Sequence, residues 1–217
     1  MNFVKTAAFV VLCLLTPSCS STEQIKGSGN VISETRTVSE YDSISLSGSG
    51  KLEVDQNGSE SLTISADDNI LPLLASEVKG HELVLSVKSG YNLNPSKPIV
   101  FKVSAKNLKG ISCNGDTTAD LKGLHANELK LEINGSGDMS AEGTADQQEL
   151  SIAGSGKFLG GGLKSREAKI TIAGSGDAVV AVSESLEVSI AGSGSIKYYG
   201  DPKIKQSVVG SGSITKQ

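Results

Sequence analysis

The chain has 217 residues, of which 37% are hydrophobic, 20% charged and 4% aromatic, a balance that fits one globular domain and excludes a disordered or collagen-like chain. A formal charge of −4 and a sequence pI near 5.3 provide no broad cationic field for a phosphate backbone, and there is no Trp to stack on bases or sugars, so nucleic acid is not expected as a partner. The 25 glycines, against 5 prolines, exceed the usual share of about 7%, which implies a local conformation that recurs and demands Gly.

In chain order, Lys5 precedes the apolar run Ala7 to Leu15, and Thr16-Pro17-Ser18-Cys19 follows. Charged, apolar and small-residue regions in that order predict an export signal over residues 1–18. The run is shorter than the roughly 20 apolar residues that span a bilayer. A cysteine directly after Ser18 resembles the lipobox of bacterial lipoproteins, which implies lipidation of Cys19, a membrane anchor and a short tether over 19–24. Pro17 departs from the commoner lipobox pattern, so secretion without lipid stays open. Of three cysteines, only Cys113 would remain free in the folded part, read as a small core residue rather than a nucleophile. Removal of the signal takes Lys5 and no acid, moving the formal charge from −4 to −5.

Residues 25–217 carry no Gly/Ser or Pro linker and are expected to form a single domain. Gly-Ser-Gly stands at 27–29, 48–50, 135–137, 154–156, 174–176, 192–194 and 210–212, the last five spaced by 19, 20, 18 and 18 residues. Residues 51–110 are less regular: alternation persists in Leu83-Leu85-Val87 and Ile99-Phe101-Val103, and the spacing of Ile70, Leu74 and Val78 after Asn69 predicts one short helix near residues 69–78. A degenerate repeat, Ser112-Cys113-Asn114-Gly115-Asp116, extends the series upstream.

Apolar residues alternate before each triplet and again after it, as in Leu129-Leu131-Ile133 and Ala178-Val180, which indicates strands. A unit of about 20 residues cannot enclose a core alone, so the units must stack. The expected fold is all-β, a right-handed parallel β-helix whose coils turn at Gly-Ser-Gly. Two residues before each triplet, Ile25, Leu46, Ile133, Ile152, Ile172, Ile190 and Val208 should form one interior ladder. A hairpin-built sandwich is the rival, though its turns would recur every 8 to 12 residues or so.

Chemistry is sparse. The residues after the triplets, Asn30, Lys51, Asp116, Asp138, Lys157, Asp177, Ser195 and Ser213, predict a surface column. Gly-x-Asp corners invite a calcium site, but Lys157 between Asp138 and Asp177 favours a mixed-charge ladder. His81 and His125 lack zinc-ligand spacing and should lie at the surface. Neither histidine is placed for a serine triad with the triplet serines, since both precede most of them. No catalytic residue, metal or cofactor is expected. Tyr198 and Tyr199 are adjacent in a chain poor in aromatics; strand phase sends Tyr198 inward and Tyr199 outward, where it either anchors a glycan or protein partner or covers the end of the helix.

Lys26-Gly-Ser-Gly-Asn-Val31, Tyr41-Asp-Ser-Ile-Ser-Leu-Ser-Gly-Ser-Gly50, Leu62-Thr-Ile-Ser-Ala-Asp67, Ile99-Val-Phe-Lys-Val103 with Leu108, and the recurrent Ile-Ala-Gly-Ser-Gly together resemble a bacterial family called the putative auto-transporter adhesin, head GIN domain, over about residues 25 to 215. The resemblance implies a right-handed β-helix on an envelope lipoprotein, anchored to the outer membrane and facing periplasm or cell surface, and transfers no catalytic or binding residues. Three functions follow in order: a non-enzymatic adhesin or interaction module, a structural envelope protein that self-associates, and a glycan-active enzyme. The partner and the oligomeric state stay open.

Overall fold

The computed structural model describes residues 22–217; the export signal over 1–18 and Cys19 lie outside the described residues. Strand pairing begins at Glu23, so Glu23 and Gln24 belong to the first strand rather than to a tether. The N-terminal half comprises β1 (Glu23–Lys26), β2 (Val31–Arg36), β3 (Ser43–Ser47), β4 (Gly50–Asp55), β5 (Ser61–Asp67), β6 (Leu74–Lys79), β7 (Glu82–Val87), β8 (Tyr91–Asn94), β9 (Val100–Ser104) and β10 (Gly110–Gly115). The repetitive half comprises β11 (Thr117–Gly135), β12 (Asp138–Gly154), β13 (Lys157–Gly174), β14 (Asp177–Gly192), β15 (Ser195–Tyr199), β16 (Lys203–Gly210) and β17 (Ser213–Lys216).

The long strands β11 to β14 each run around a coil and pair in parallel with the next, forming a β-solenoid. Equivalent residues stack along the axis: Leu85, Leu46, Cys113, Ile133, Ile152, Ile172, Ile190 and Val208 are successive partners. All but the last belong to the buried core. This is the interior ladder anticipated from the triplet offsets, with two corrections. Ile25 lies outside it, paired with Leu93 in a separate two-stranded sheet. Val208 shares the register but stands on the last described coil and is exposed. Neighbouring ladders, such as Ile111-Leu131-Leu150-Ile170-Val188, complete the core. Each such side chain contributes about 1.5 to 3 kcal/mol of burial.

The triplets make the corners, and Gly174 shows why they require glycine. Its φ is +128°, a region L side chains rarely adopt. A Cβ there would stand 2.3 Å from the Gly154 carbonyl oxygen one coil earlier. That oxygen accepts a 2.9 Å hydrogen bond from the Ser175 N–H, so close stacking of corners is itself part of the coil-to-coil hydrogen bonding.

The N-terminal end is built differently. Strand β5 pairs antiparallel with β2 and β9, and β6 pairs antiparallel with β7. The expected helix near 69–78 is replaced by a single 3-10 turn over Leu71–Leu73 that leads straight into β6. The spacing of four between Leu74 and Val78 satisfies a strand as well as a helix, since both are even steps on a pleat. Pro72 enters the turn without an N–H to donate. Asn69 is not a helix cap: its Oδ1 accepts from the Ser28 N–H at 3.0 Å and its Nδ2 donates to the Lys26 carbonyl at 2.8 Å. The first Gly-Ser-Gly is thereby a clasp rather than a coil corner. Buried Asp67 accepts from the Gly29 N–H, the Ser96 N–H and the Ser96 hydroxyl at 2.8, 2.9 and 2.5 Å. Asp68 accepts from Ser28 Oγ and Asn30 Nδ2 at 2.6 and 2.9 Å.

Candidate partner-binding groove

Away from the triplets, each coil turns a second corner, and side chains there stack in columns. His125, Thr144, Lys164, Ala181 and Tyr199 are successive register partners on the outer face. The next residue in each coil, Ala126, Ala145, Ser165 and Val182, points inward, three of the four being fully buried. Small side chains at these positions leave the corner hollow. The result is an open groove of about 540 Å³ crossing the coils, with Ala126, Ala145 and Val182 on its floor and Asn127, Asp146, Arg166 and Ser183 on its rim.

Tyr199 closes the C-terminal end of the groove. It is 46% exposed, whereas Tyr198 is half-buried against the core, the opposite orientation that pleat geometry requires of neighbours. The Tyr199 ring overlies Gly161, where an added Cβ would lie 3.5 Å from the ring and 3.6 Å from Val179. Gly161 belongs to the Gly160-Gly161-Gly162 insertion, which shifts the pairing register between β13 and β14. Leu159, 54% exposed, lies on the outer face of the same coil, so the tyrosine stands between a polar-rimmed groove and an apolar patch. Such a ring combines apolar area with a hydroxyl handle, at the cost of few rotatable bonds.

Electrostatics of the rim are local. Arg166 donates through Nε and Nη2 to both Glu184 carboxylate oxygens at 2.9 and 3.2 Å and lies 3.9 Å from Asp146; the guanidinium holds the Glu184 carboxyl below its ordinary pKa. At these exposures the pair orients the fork more than it stabilises the fold. His125 Nδ1 lies 2.9 Å from Thr144 Oγ1. Behind the floor, the buried Ser165 hydroxyl donates to Gln148 Oε1 at 2.8 Å. Gln148 occupies an interior position, between Leu129 and Ala168 in the stack, and its Nε2 has no hydrogen-bond partner among the described residues.

The remaining predicted surface residues lie elsewhere. Asp138, Lys157, Asp177, Ser195 and Ser213 stack as one column. Asp177 Oδ1 accepts from Ser195 Oγ at 2.5 Å. Thr118, not Asp116, is the register partner of Lys51, because Gly115 aligns with Gly135 and thus Gly115-Asp116-Thr117 replaces the triplet. Asn30 lies in the clasp instead. Among the described residues no group of three or more His, Cys, Asp or Glu is placed to hold a metal ion, and no helix is long and apolar enough to cross a membrane. His81 and His125 are both exposed. Cys113 is buried and free, its thiol pushed up to about 12 by desolvation.

Triplet counting finds Tyr199 but misses the groove. The insertion at 160–162 and other register shifts break any constant offset between a triplet and the second corner. The available signal was the recurrence of a small residue before a polar one, in Ala126-Asn127, Ala145-Asp146 and Ser165-Arg166.

Residues 40–202 match the family described as putative auto-transporter adhesin, head GIN domain. Among solved structures, a putative adhesin from Bacteroides fragilis is similar with a TM-score of 0.73 and 27% identity, covering 89% of this chain and 100% of that one. A putative lipid binding protein from Parabacteroides distasonis is similar at TM-score 0.54 and 26% identity, over 90% of this chain and 100% of that one. A putative adhesin from Parabacteroides merdae, at TM-score 0.52 and 19% identity over 90% of this chain and 99% of that one, shares the fold. No curated protein matches the chain.

Proposed function

Because the chain belongs to the family of the putative auto-transporter adhesin, head GIN domain, we propose that it is a non-enzymatic, adhesin-like envelope protein that binds a glycan or protein partner across the Tyr199 groove. The observation that carries this is the groove itself: a floor of small apolar residues, one exposed aromatic at its end, and a rim of hydrogen-bonding side chains held by a rigid stack. A partner strand laid across it meets apolar area at Tyr199 and polar contacts at Asn127, Asp146 and Arg166. That division suits recognition with low ordering cost on the protein side.

Anchoring to the outer membrane through lipid on Cys19 completes the proposal, supported by the apolar run and small residues before it. Cys19→Ser should release the protein from membranes, and recovery of wild-type protein with an unmodified N-terminus would refute the anchor. A self-associating envelope scaffold is the second function, favoured by the exposure of every residue of β16.

The groove is tested with Tyr199→Ser in envelope pull-downs and glycan arrays. Loss of partner capture with unchanged melting is expected. Capture that survives the substitution, or a melting drop without a binding defect, assigns Tyr199 to shielding the end of the solenoid.

A further inference from the structure

The two ends of the solenoid are finished differently. At the N-terminal end, Arg36 donates to the carbonyls of Leu71 and Leu74 at 3.0 and 2.8 Å, and Ile70, Leu71 and Leu74 are buried beneath the turn. At the C-terminal end, among the described residues, β16 pairs only with β14 and β17 only with β15. All eight residues of β16 are exposed. Ile204, Gln206 and Val208 continue the interior ladders of Leu186, Val188 and Ile190, yet Ile204 and Val208 are 41% and 38% exposed. An edge of this length, with a free row of backbone donors and acceptors above apolar inward positions, is a template for another strand.

We propose that the strand is supplied by a second copy of this chain, β16 pairing antiparallel with its own counterpart about a two-fold axis at Gln206. Centred there, Ile204 faces Val208 of the second copy, Gln206 faces Gln206, and Val208 faces Ile204, so apolar inward positions meet apolar ones on both sides. Facing outward, Lys205 meets Ser207 and Lys203 meets Val209, with no like charges directly opposed. Lys205 keeps its 2.9 Å ion pair with Glu187. A shift of the centre to Ser207 would set Gln206 against Val208 and Ile204 against Gly210, losing both apolar matches.

Head-to-tail growth is disfavoured by the same register. The outward column through Lys205 runs back through Glu187, Lys169, Glu149, Lys130, Gly110, Ser43 and Glu82 to Lys79 on β6. Continuing the stack with another copy's β6 would therefore oppose Lys79 to Lys205 and set Val78 against Gln206. Directly opposed like charges destabilise a strand pair. The isologous arrangement closes after two copies, whereas the head-to-tail one would not close.

Sedimentation of the purified full chain in detergent, over a concentration series, should show a monomer–dimer equilibrium. Val208→Asp places a carboxylate at the inward seam and should weaken it by about 100-fold or more. In parallel, Gln206→Cys should give a disulfide-linked dimer under mild oxidation, because position 206 alone faces itself across the axis; Lys203→Cys and the wild-type chain should not. Strictly monomeric protein, masses growing beyond two copies, a dimer unaffected by Val208→Asp, or equal cross-linking at positions 203 and 206 would each overturn the proposal. The cysteine variants keep the test decisive if Val208→Asp does not fold.

Discussion

Ile172→Ala measures how far the interior ladder holds the solenoid together. Ile172 is fully buried and stacks between Ile152 and Ile190. Its Cγ2 lies 2.9 Å from where a Cβ on Gly194 would stand, so the branched end is roofed by the next coil's corner. The substitution removes three carbons, about 2.4 kcal/mol at ~0.8 kcal/mol each. Collapse into the space would require coils 152 and 190 to approach, which their backbone ladders on either side prevent. A residual cavity of ~50 Å³ at about 24 cal/mol per Å³ adds about 1 kcal/mol. The expected loss is therefore about 3 to 4 kcal/mol in urea unfolding, against under about 1 for Leu159→Ala on the exposed outer face. Because stacked coils unfold in nearest-neighbour fashion, hydrogen exchange should show the loss concentrated in β12 to β14. Equal costs for the two variants, or a cost of Ile172→Ala below about 1 kcal/mol, would refute the reasoning.

Two further outcomes follow from particular contacts. Gly174→Ala combines a positive φ with a 2.3 Å approach to the Gly154 carbonyl and should cost roughly 3 kcal/mol or more, whereas Gly161→Ala meets nothing closer than 3.5 Å and should leave melting nearly unchanged. The Ser96 hydroxyl, with the Ser96 and Gly29 N–H groups, lowers the Asp67 pKa against the opposing effect of burial. A depressed folded-state pKa means the clasp contributes stability above the unfolded carboxylate value of about 3.9 and loses it as pH falls through the folded value. Acid titration of melting should show that limb in the wild type and a flatter one in Asp67→Asn; identical limbs would remove Asp67 from the account.

The repetitive half was legible because two periods coincide there. The strand period of two marks Ile152, Ile172 and Ile190 as inward, and the coil period carried by the glycines puts them in one ladder. Where that coincidence fails, the sequence misleads. Gly27-Ser28-Gly29 is identical in letters to a corner but is bound by Asp67, Asp68 and Asn69, roughly 40 residues away, and no local pattern encodes that. Leu74 and Val78 fit two periodicities, and only pairing with β7 chooses between them. Asp116 falls two positions short of the column, at the level of Ser136, because the triplet it is measured from is itself altered. The outward phase of Tyr199 was readable from Ile196 in the same strand. Its alignment with Ala181, Lys164 and His125 was not, since the glycine insertion at 160–162 alters the count between columns.

The N-terminal half also gives the chain a direction in time. Laying β10 and the start of β11 on β3 and β4 joins Ser43 to Gly110 and Gly50 to Thr117, larger loops than any of the following coils closes, each of which needs only about 20 residues to reach its predecessor, and loop closure is the slow, entropically costly step. A chain delivered N-terminus first, whether by synthesis or by translocation, completes the expensive closures before the last repeats emerge. Every subsequent coil then lands on a finished template, and folding proceeds as growth from a seed, with the last-made coil also the first to fray.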